Sequence, residues 1–186
     1  MHEKVTFTAM EHGTRDDYEL VSRHDAQERS LFPGRVMQWL SSMDGPSPYL
    51  ISRLDHSLQS ATRAERDNAS DDTVLMALLH DIGDVLCPAN HSQVAAALLR
   101  PYISKKNHWI VLHHGLFQGY YYFHHLDMDR DVRERYRGHE YYDDCVAFCH
   151  NWDQTSFDPK YKSYPLEHFE PLIHQILGQE PKSFAF

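Results

Sequence analysis

A histidine and an aspartate stand side by side in an otherwise apolar stretch, LMALLHDIGDV, at residues 75–85. Burying an ionised carboxylate without a partner costs several kcal/mol. Asp81 must therefore either be exposed or lie beside a positive charge. A metal ion would supply that charge, because it stabilises a buried carboxylate and binds neutral imidazoles. The pair His80 and Asp81 therefore predicts a metal site.

Other candidate ligands lie in neighbouring segments. The chain has fifteen histidines, and histidine is a common metal ligand. Taken singly, a histidine on an apolar helix is usually an ordinary buried polar residue, and a lone His-Asp pair is weak evidence for a ligand. Their order along the chain, His … His-Asp … His … His … Asp, is more specific and favours a site for one or two metals. The residues in question, besides His80 and Asp81, are His56, His91, His113, His114 and Asp153.

The adjacency of His80 and Asp81 bears on the number of metals. Neighbouring residues on a helix point about 100° apart, since a turn holds 3.6 residues. The two side chains can therefore reach two metals if Asp81 bridges them with its two oxygens.

The composition excludes several classes of protein. Hydrophobic residues make up 41% and charged residues 24% of the 186 residues, which is ordinary for a globular domain. The net charge of −9 argues against a nucleic-acid partner, which would need a basic surface. There is no apolar run long enough to predict a membrane span and no signal-peptide segment. Three cysteines without CxxC spacing predict a reduced, cytoplasmic protein, with Cys145 and Cys149 either packed in the core or acting as thiol ligands.

The elements that must position these residues are helices. Apolar residues recur at helical spacing and period-2 patterns are scarce, so we expect an all-α bundle of six to eight helices. Residues 1–30 are polar and weakly periodic, and are expected to form an N-terminal extension or lid before a single domain at 31–186. The predicted helices lie within 35–43, 49–67, 71–85, 91–102, 104–125, 138–157 and 165–177.

Five segments together resemble a known family. LDHSLQSA, LLHDIGD, NHSQVAAALL, HHGLFQGYYY and NWDQTSFDP are similar, in order and spacing, to the motif series of the HD-domain superfamily. HD domains are all-α and hold one or two metals, and most are phosphohydrolases. A smaller branch comprises mixed-valence diiron oxygenases, which include myo-inositol oxygenase and enzymes that oxidatively cleave organophosphonates. The HSLQ around the first ligand and the six-ligand count resemble the organophosphonate-cleaving group most closely.

This resemblance implies a ligand set and a metal. It places four imidazoles and two carboxylates around two iron ions, with His80 and Asp81 as the catalytic pair. His114 fits the last histidine position better than His113, because of its spacing from His91 and the glycine that follows. Such an N/O donor set suits iron, manganese or zinc, and the choice of iron comes from the resemblance. The implied ligands are His56, His80, Asp81, His91, His114 and Asp153.

The resemblance also indicates the substrate's nitrogen group. Relatives that act on a primary amine carry a glutamate seven residues before the first ligand histidine and a histidine three residues after the aspartate of the pair. This chain has Tyr49 and Asp84 there. A quaternary ammonium has no N–H to donate, so aromatic faces and a nearby negative charge bind it best. Tyr18, Phe32 or an aromatic residue at 120–122 would complete a cage; alternatively, Tyr49 packs on the core and Asp84 is solvated.

The phosphonate end of the substrate is less clearly marked. Many HD hydrolases follow their His-Asp pair with a lysine that contacts phosphate, whereas Asp84 would repel a phosphate dianion. Amine-type relatives have lysines where this chain has Gln118 and Phe157. Gln118 can donate two hydrogen bonds, and charge would come from Lys160, Lys162 or an arginine at 133–137.

The expected activity is O2-dependent cleavage of (1R)-1-hydroxy-2-(trimethylammonio)ethylphosphonate to glycine betaine and phosphate. A separate hydroxylase would have to make this substrate first. The same chemistry on 1-hydroxy-2-aminoethylphosphonate, and metal-dependent phosphohydrolysis, are the alternatives; a non-catalytic HD-like binding module is a further one.

Overall fold

Helices account for all the regular structure of the computed structural model, which describes residues 3–182. Eight α-helices occur in this part of the chain, with short 3-10 turns and one π turn, and no strand is present there. The expected all-α bundle of six to eight helices is confirmed. The helices are α1 Arg15–Ser30, α2 Phe32–Ser42, α3 Arg53–Arg66, α4 Asp71–Leu79, α5 His91–Leu99, α6 Lys105–Tyr122, α7 Tyr142–Phe148 and α8 Leu166–Leu177.

Helix α4 forms the centre of the bundle. Every residue from Val74 to Leu79 is at most 3% exposed, and the helix packs against α3, α6 and α8. A helix that is apolar all round must be covered on every side. Two acidic residues, Asp71 and Asp72, occupy its first turn, where they complement the helix dipole. Because His80 follows α4 directly, it is placed in the interior of the molecule.

The end of α4 differs from the sequence-based expectation of one helix over 71–85. The helix ends at Leu79, His80 is its C-cap, and a 3-10 turn follows at Ile82–Val85. Asp81 has φ −101° and ψ 6°, in the sparsely populated bridge region where active-site residues are often found. The directions of His80 and Asp81 are therefore set by a turn and not by helical geometry.

Helix α3 is joined to the segment that follows α7. Ser52 caps α3 through a capping box with Asp55, which fixes where the helix begins. Its polar side chains then bond to a chain segment about 100 residues further on. The Gln59 amide donates to the Asp158 carbonyl at 2.9 Å, and the Tyr164 amide donates to Thr62 Oγ1 at 2.9 Å. This segment is thereby held against α3.

The N-terminal region includes a helix that its weak periodicity did not predict. Thr14 caps α1 through a capping box with Asp17, and Asp17 also accepts hydrogen bonds from the amide and hydroxyl of Thr6. Residues that line the pocket described below begin at Tyr49, so an extension or lid role for residues 1–30 stays a prediction. No helix in the described part of the chain has the length and apolarity to cross a membrane.

We expect Asp17→Asn to release the segment before α1. The hydrogen bonds from Thr14 and Thr6 lower the pKa of Asp17 to about 2. A depressed folded-state pKa gives stability that is complete above the ordinary carboxyl pKa and is lost as the pH falls through about 2. Faster amide hydrogen exchange at residues 3–14 of the variant, compared with an Asp16→Asn control, would show the release. Unchanged exchange would contradict it.

Candidate metal centre

Three buried histidines each present one ring nitrogen to the candidate metal centre. The Nδ1 atoms of His56, His80 and His114 lie 2.7–2.9 Å from backbone carbonyls. A carbonyl can only accept, so each Nδ1 carries the proton and each Nε2 presents a lone pair. The carbonyls that orient the rings belong, in the same order, to Ser156, Ala77 and Val111.

Asp81 lies between two pairs of histidines. Its Oδ2 is 3.5 Å from Nε2 of His56 and 3.6 Å from Nε2 of His80. Its Oδ1 is 3.1 Å from Nε2 of His114 and 3.4 Å from Nε2 of His91. Each oxygen therefore faces a different pair of imidazoles, which is the arrangement required of a carboxylate that bridges two cations.

Asp153 completes the more deeply buried half of the centre. Its Oδ1 lies 3.3 Å from Nε2 of His56 and 3.7 Å from Nε2 of His80, and it accepts a hydrogen bond from the Gln118 amide at 3.0 Å. Its Oδ2 is buried and has no hydrogen-bond partner. The two imidazole Nε2 atoms are only 3.1 Å apart. Facing lone pairs and an unpaired carboxylate oxygen are costly unless a cation lies among them, so these residues fit a metal ion.

The donors divide into groups that suit two ions. His56, His80 and Asp81 form one group, and Asp81, His91 and His114 form another; within each group the ligand atoms lie within 4.8 Å of one another. A third, overlapping group joins His80 and His114 to Asp153. With Asp81 shared, the second group has three protein ligands and room for further ligands from the pocket, as catalytic metal sites require.

The electrostatics of the centre favour added positive charge. Burial alone would lower the pKa of His56 and His80, but the carboxylates of Asp153 and Asp81 outweigh it and raise both pKa values. Burial likewise opposes ionisation of the two carboxylates, yet the surrounding imidazoles hold the pKa of Asp81 and of Asp153 well below the ordinary value. The carboxylates are therefore ionised over the whole physiological range.

His91 is the least tightly held of the six predicted ligands. Its side chain is 29% exposed, and burial lowers its pKa. Its Nδ1 lies 3.4 Å from the Pro88 carbonyl and 3.7 Å from Asp84 Oδ1. Gly83 and Gly115 make room for it: a Cβ on Gly83 would lie 2.1 Å from the His91 carbonyl oxygen, and one on Gly115 would lie 3.5 Å from its Nε2. The start of α5 therefore depends on close backbone approach at Gly83.

We expect Gly83→Ala to displace His91 and to weaken metal binding at the second group of ligands. The added methyl would press on backbone atoms that cannot rotate away, and overpacking of this kind costs about 1–3 kcal/mol. Metal content and the free energy of unfolding measure the effect. Gly34→Ala is the control, since a Cβ there meets nothing within 4 Å; equal metal content in both variants would contradict the prediction.

Asp153 is positioned by a π turn. The chain after α7 continues as a π turn at Cys149–Asp153, a wider winding that is frequent at functional sites. Cys145 and Cys149 are buried, and their thiols donate to the carbonyls of Ile110 and His114. Neither cysteine belongs to a group of metal donors in the described residues. Of the two roles that the sequence left open, core packing and metal ligation, the two cysteines have the first.

A pocket of about 610 Å³ opens onto the metal centre. All three residues predicted to bind substrate, Tyr49, Asp84 and Gln118, line it. Gln118 directs its amide to Asp153, and its Oε1 is buried without a partner. Five of the six predicted metal ligands line the same pocket, and His80 lies behind them, fully buried.

Other predicted contributors lie elsewhere. Tyr18 stacks on Phe7 and Phe32 stacks on Tyr102, so neither completes an aromatic cage. The cations proposed for the phosphonate, at 160, 162 and 133–137, do not line the pocket. The predicted His113 alternative donates to the Trp109 carbonyl and stacks on that ring, outside the donor groups.

Sequence reasoning expected a pocket aromatic at 120–122, and Tyr121 and Tyr122 do line the wall; it missed Arg53 and the aromatic contact of Phe157. Tyr121, Tyr122 and Phe157 add aromatic surface, and Arg53 adds the one arginine or lysine among the described lining residues. Phe157 stacks on His56 with ring centroids 4.4 Å apart, and the ring of Tyr49 lies tilted by 48° against Phe157 at a centroid distance of 4.8 Å. The signal for Arg53 was its position one helical turn before His56, on the same face of α3.

Comparison with known proteins agrees with this geometry. No curated protein is similar enough to the chain to count as a match. A family model described as "HD domain" matches residues 53–156, more than half of the chain, and this range contains all six predicted ligands. Proteins with this domain are generally metal-dependent enzymes, and the donor groups described above are able to hold such metals. The chain belongs to the HD-domain family.

Proposed function

We propose that the protein is a diiron oxygenase that cleaves the C–P bond of (1R)-1-hydroxy-2-(trimethylammonio)ethylphosphonate, giving glycine betaine and phosphate. The observation that carries this proposal is the pocket wall beside the metal ligands, where Tyr49 and Asp84 lie and no lysine is found among the described lining residues. A substrate cation would meet aromatic rings and a carboxylate there, and the substrate's anionic group would meet Arg53, the one lining arginine or lysine among the described residues.

The residues of the chain have distinct tasks in this reaction. Six side chains would hold two iron ions, which when bound activate O2 and accept electrons from the substrate. Asp81 faces both pairs of imidazoles and would be shared between the two ions, and Gln118 holds Asp153 in place by its hydrogen bond. Phe157 covers His56 and keeps water from that side of the centre. In the overall change, one oxygen atom of O2 enters the carboxylate, the other enters phosphate, and the C–P bond is broken.

The aromatic wall suits the trimethylammonium group. Tyr49 is 54% exposed and contacts Phe157 in a tilted arrangement, so part of its ring is accessible from the pocket. Tyr122, which is partly exposed, lines the same pocket. A quaternary ammonium between these rings gains cation–π attraction without needing a hydrogen-bond acceptor.

A separate hydroxylase must supply the 1-hydroxy substrate, since the proposed reaction begins from a C1 that already carries oxygen.

We expect Tyr49→Ala to raise KM for the trimethylated substrate about threefold to tenfold, and to raise it less for the primary-amine analogue. Steady-state kinetics on both substrates measure the difference. Tyr49→Phe, which keeps the ring, and Leu50→Ala, which removes an exposed neighbour, are the controls. An equal change for both substrates in Tyr49→Ala would rule out recognition by the ring.

Metal analysis with electron paramagnetic resonance tests the class of enzyme. Two irons per chain are expected, with a coupled Fe(II)/Fe(III) signal in partly oxidised protein that shifts when the phosphonate is added. Release of phosphate from nucleotides in the absence of O2 would instead identify a metal-dependent phosphohydrolase. Turnover of the trimethylated and primary-amine phosphonates, compared directly, decides the nitrogen substituent.

A further inference from the structure

An ion pair spans one side of the pocket. Arg53 is the first residue of α3, and its Nη1 contacts Asp84 Oδ2. Arg53 is the pocket's single arginine or lysine in the described part of the chain, and Asp84 is its one lining carboxylate that is not a predicted metal ligand. The negative charge that sequence reasoning assigned to a substrate cation is therefore already balanced by the protein.

The two partners of this pair differ in how firmly they are held. The side chain of Asp84 is 9% exposed, and its other oxygen lies 3.7 Å from His91 Nδ1. The side chain of Arg53 is 42% exposed and has four rotatable side-chain bonds. An ion pair with an exposed partner contributes little and opens easily. Arg53 is therefore the partner that moves when the pair opens.

A zwitterionic ligand carries one charge of each sign and can therefore pair with both Asp84 and Arg53 once their ion pair has opened. An ammonium group at Asp84 takes the position of the guanidinium, and the guanidinium can then bind phosphonate oxygens in a bidentate way. Every charge stays paired in this exchange. An anion without a cation would draw Arg53 away and leave the largely buried Asp84 uncompensated, which is unfavourable.

We propose that Arg53 is a specificity-determining residue that selects zwitterionic substrates by exchanging Asp84 for the substrate's anionic group. The inference rests on the proposed function, because it assumes that this pocket receives a molecule with a phosphonate and a cationic nitrogen. It adds a reason why the pocket rejects ordinary phosphate esters: such ligands offer nothing to Asp84 in return for Arg53.

Binding of three probes to the metal-loaded protein without O2 tests the exchange. The probes are methylphosphonate, which is only anionic, choline, which is only cationic, and 2-(trimethylammonio)ethylphosphonate, which carries both charges but lacks the C1 hydroxyl. Isothermal titration calorimetry on the wild type, Arg53→Met, Asp84→Asn and the double variant gives the affinities. Arg53→Lys keeps the charge, and Arg35→Met removes an exposed arginine that pairs with Glu28 away from the pocket; both serve as controls.

The two single variants should have opposite effects. We take the ion pair to be closed about nine-tenths of the time in the free protein, so that freeing either partner gains about tenfold in affinity. Asp84→Asn frees Arg53, and methylphosphonate should therefore bind about tenfold more tightly. Arg53→Met frees Asp84, and choline should therefore bind about tenfold more tightly. The zwitterionic probe should bind the wild type with higher affinity than it binds the double variant. Changes of the same sign for methylphosphonate and choline in either single variant, or weaker methylphosphonate binding to Asp84→Asn, would overturn the proposal.

This test is independent of turnover. The probes are not substrates, so a reciprocal pattern would stand even if C–P cleavage were disproved, and oxidative cleavage could be observed without the pattern. Thermal melting and metal content of each variant show that it has folded, and the effect of Asp84→Asn on methylphosphonate binding still tests the exchange if Arg53→Met does not fold.

Discussion

Asp81→Ala should lose metal and activity together. Asp81 faces two pairs of histidines with its two oxygens, so its removal would take a donor from both candidate donor groups at once. Loss of several kcal/mol of metal-derived stabilisation of the transition state corresponds to a fall in kcat/KM of at least about a thousandfold. Metal content by mass spectrometry and turnover of the hydroxyphosphonate give the two measurements.

A second aspartate makes this prediction specific. Asp143 is exposed in the first turn of α7, and Asp143→Ala should keep full metal content and activity. Should Asp81→Ala retain activity with a full complement of metal, Asp81 would not be a ligand, and the bridging role would have to be abandoned.

Removing the metal should destabilise the folded protein. The Nε2 atoms of His56 and His80 lie 3.1 Å apart, and Asp153 Oδ2 is buried without a partner. Without a cation these groups must be satisfied by protons. A metal present at a hundred times its Kd stabilises by about 2.7 kcal/mol, which for a domain of this size is about 5–10 °C in Tm. Calorimetry before and after dialysis against a strong chelator measures the loss, and added metal should restore it.

A chelator can also change stability through unspecific effects, and the Asp81→Ala protein controls for them. With its ligand set broken, its Tm should be nearly the same with and without chelator. A wild-type Tm that does not change on chelation would mean that the buried donors are satisfied without a metal.

The pattern of the sequence was sufficient for the fold, and with the family resemblance it named candidate ligands that lie close together in the structure. Helical spacing of apolar residues located seven of the eight α-helices, and the order of histidines and aspartates named six side chains that the structure brings together. The spacing of apolar residues is a local signal, and the series of histidines and aspartates depends only on their order along the chain. Helix α1 was not predicted because its residues are mostly polar and show little apolar periodicity. Its signal in the sequence was the capping residue Thr14.

Features that depend on tertiary contacts could not be predicted in this way. The pairing of Arg53 with Asp84 joins residues 31 positions apart, and neither residue type indicates the other. The π turn before Asp153 leaves no mark in the hydrophobic pattern, because one extra residue per turn changes the direction of a side chain and not its polarity. Sequence reasoning placed Asp84 and Asp153 at the site, whereas it did not predict that Arg53 would balance the charge of Asp84.

The bond between His56 Nδ1 and the Ser156 carbonyl has a consequence for the order of assembly. It joins residues 100 positions apart, and α3 is anchored to the same distant segment through Gln59 and Thr62. Closing so long a loop costs conformational entropy before its contacts form, and this slows the folding step that brings the two residues together. On a ribosome the first ligand histidine thus emerges well before the carbonyl that orients it. Full-affinity metal capture must therefore wait until the chain beyond Ser156 has been synthesised and has docked on α3.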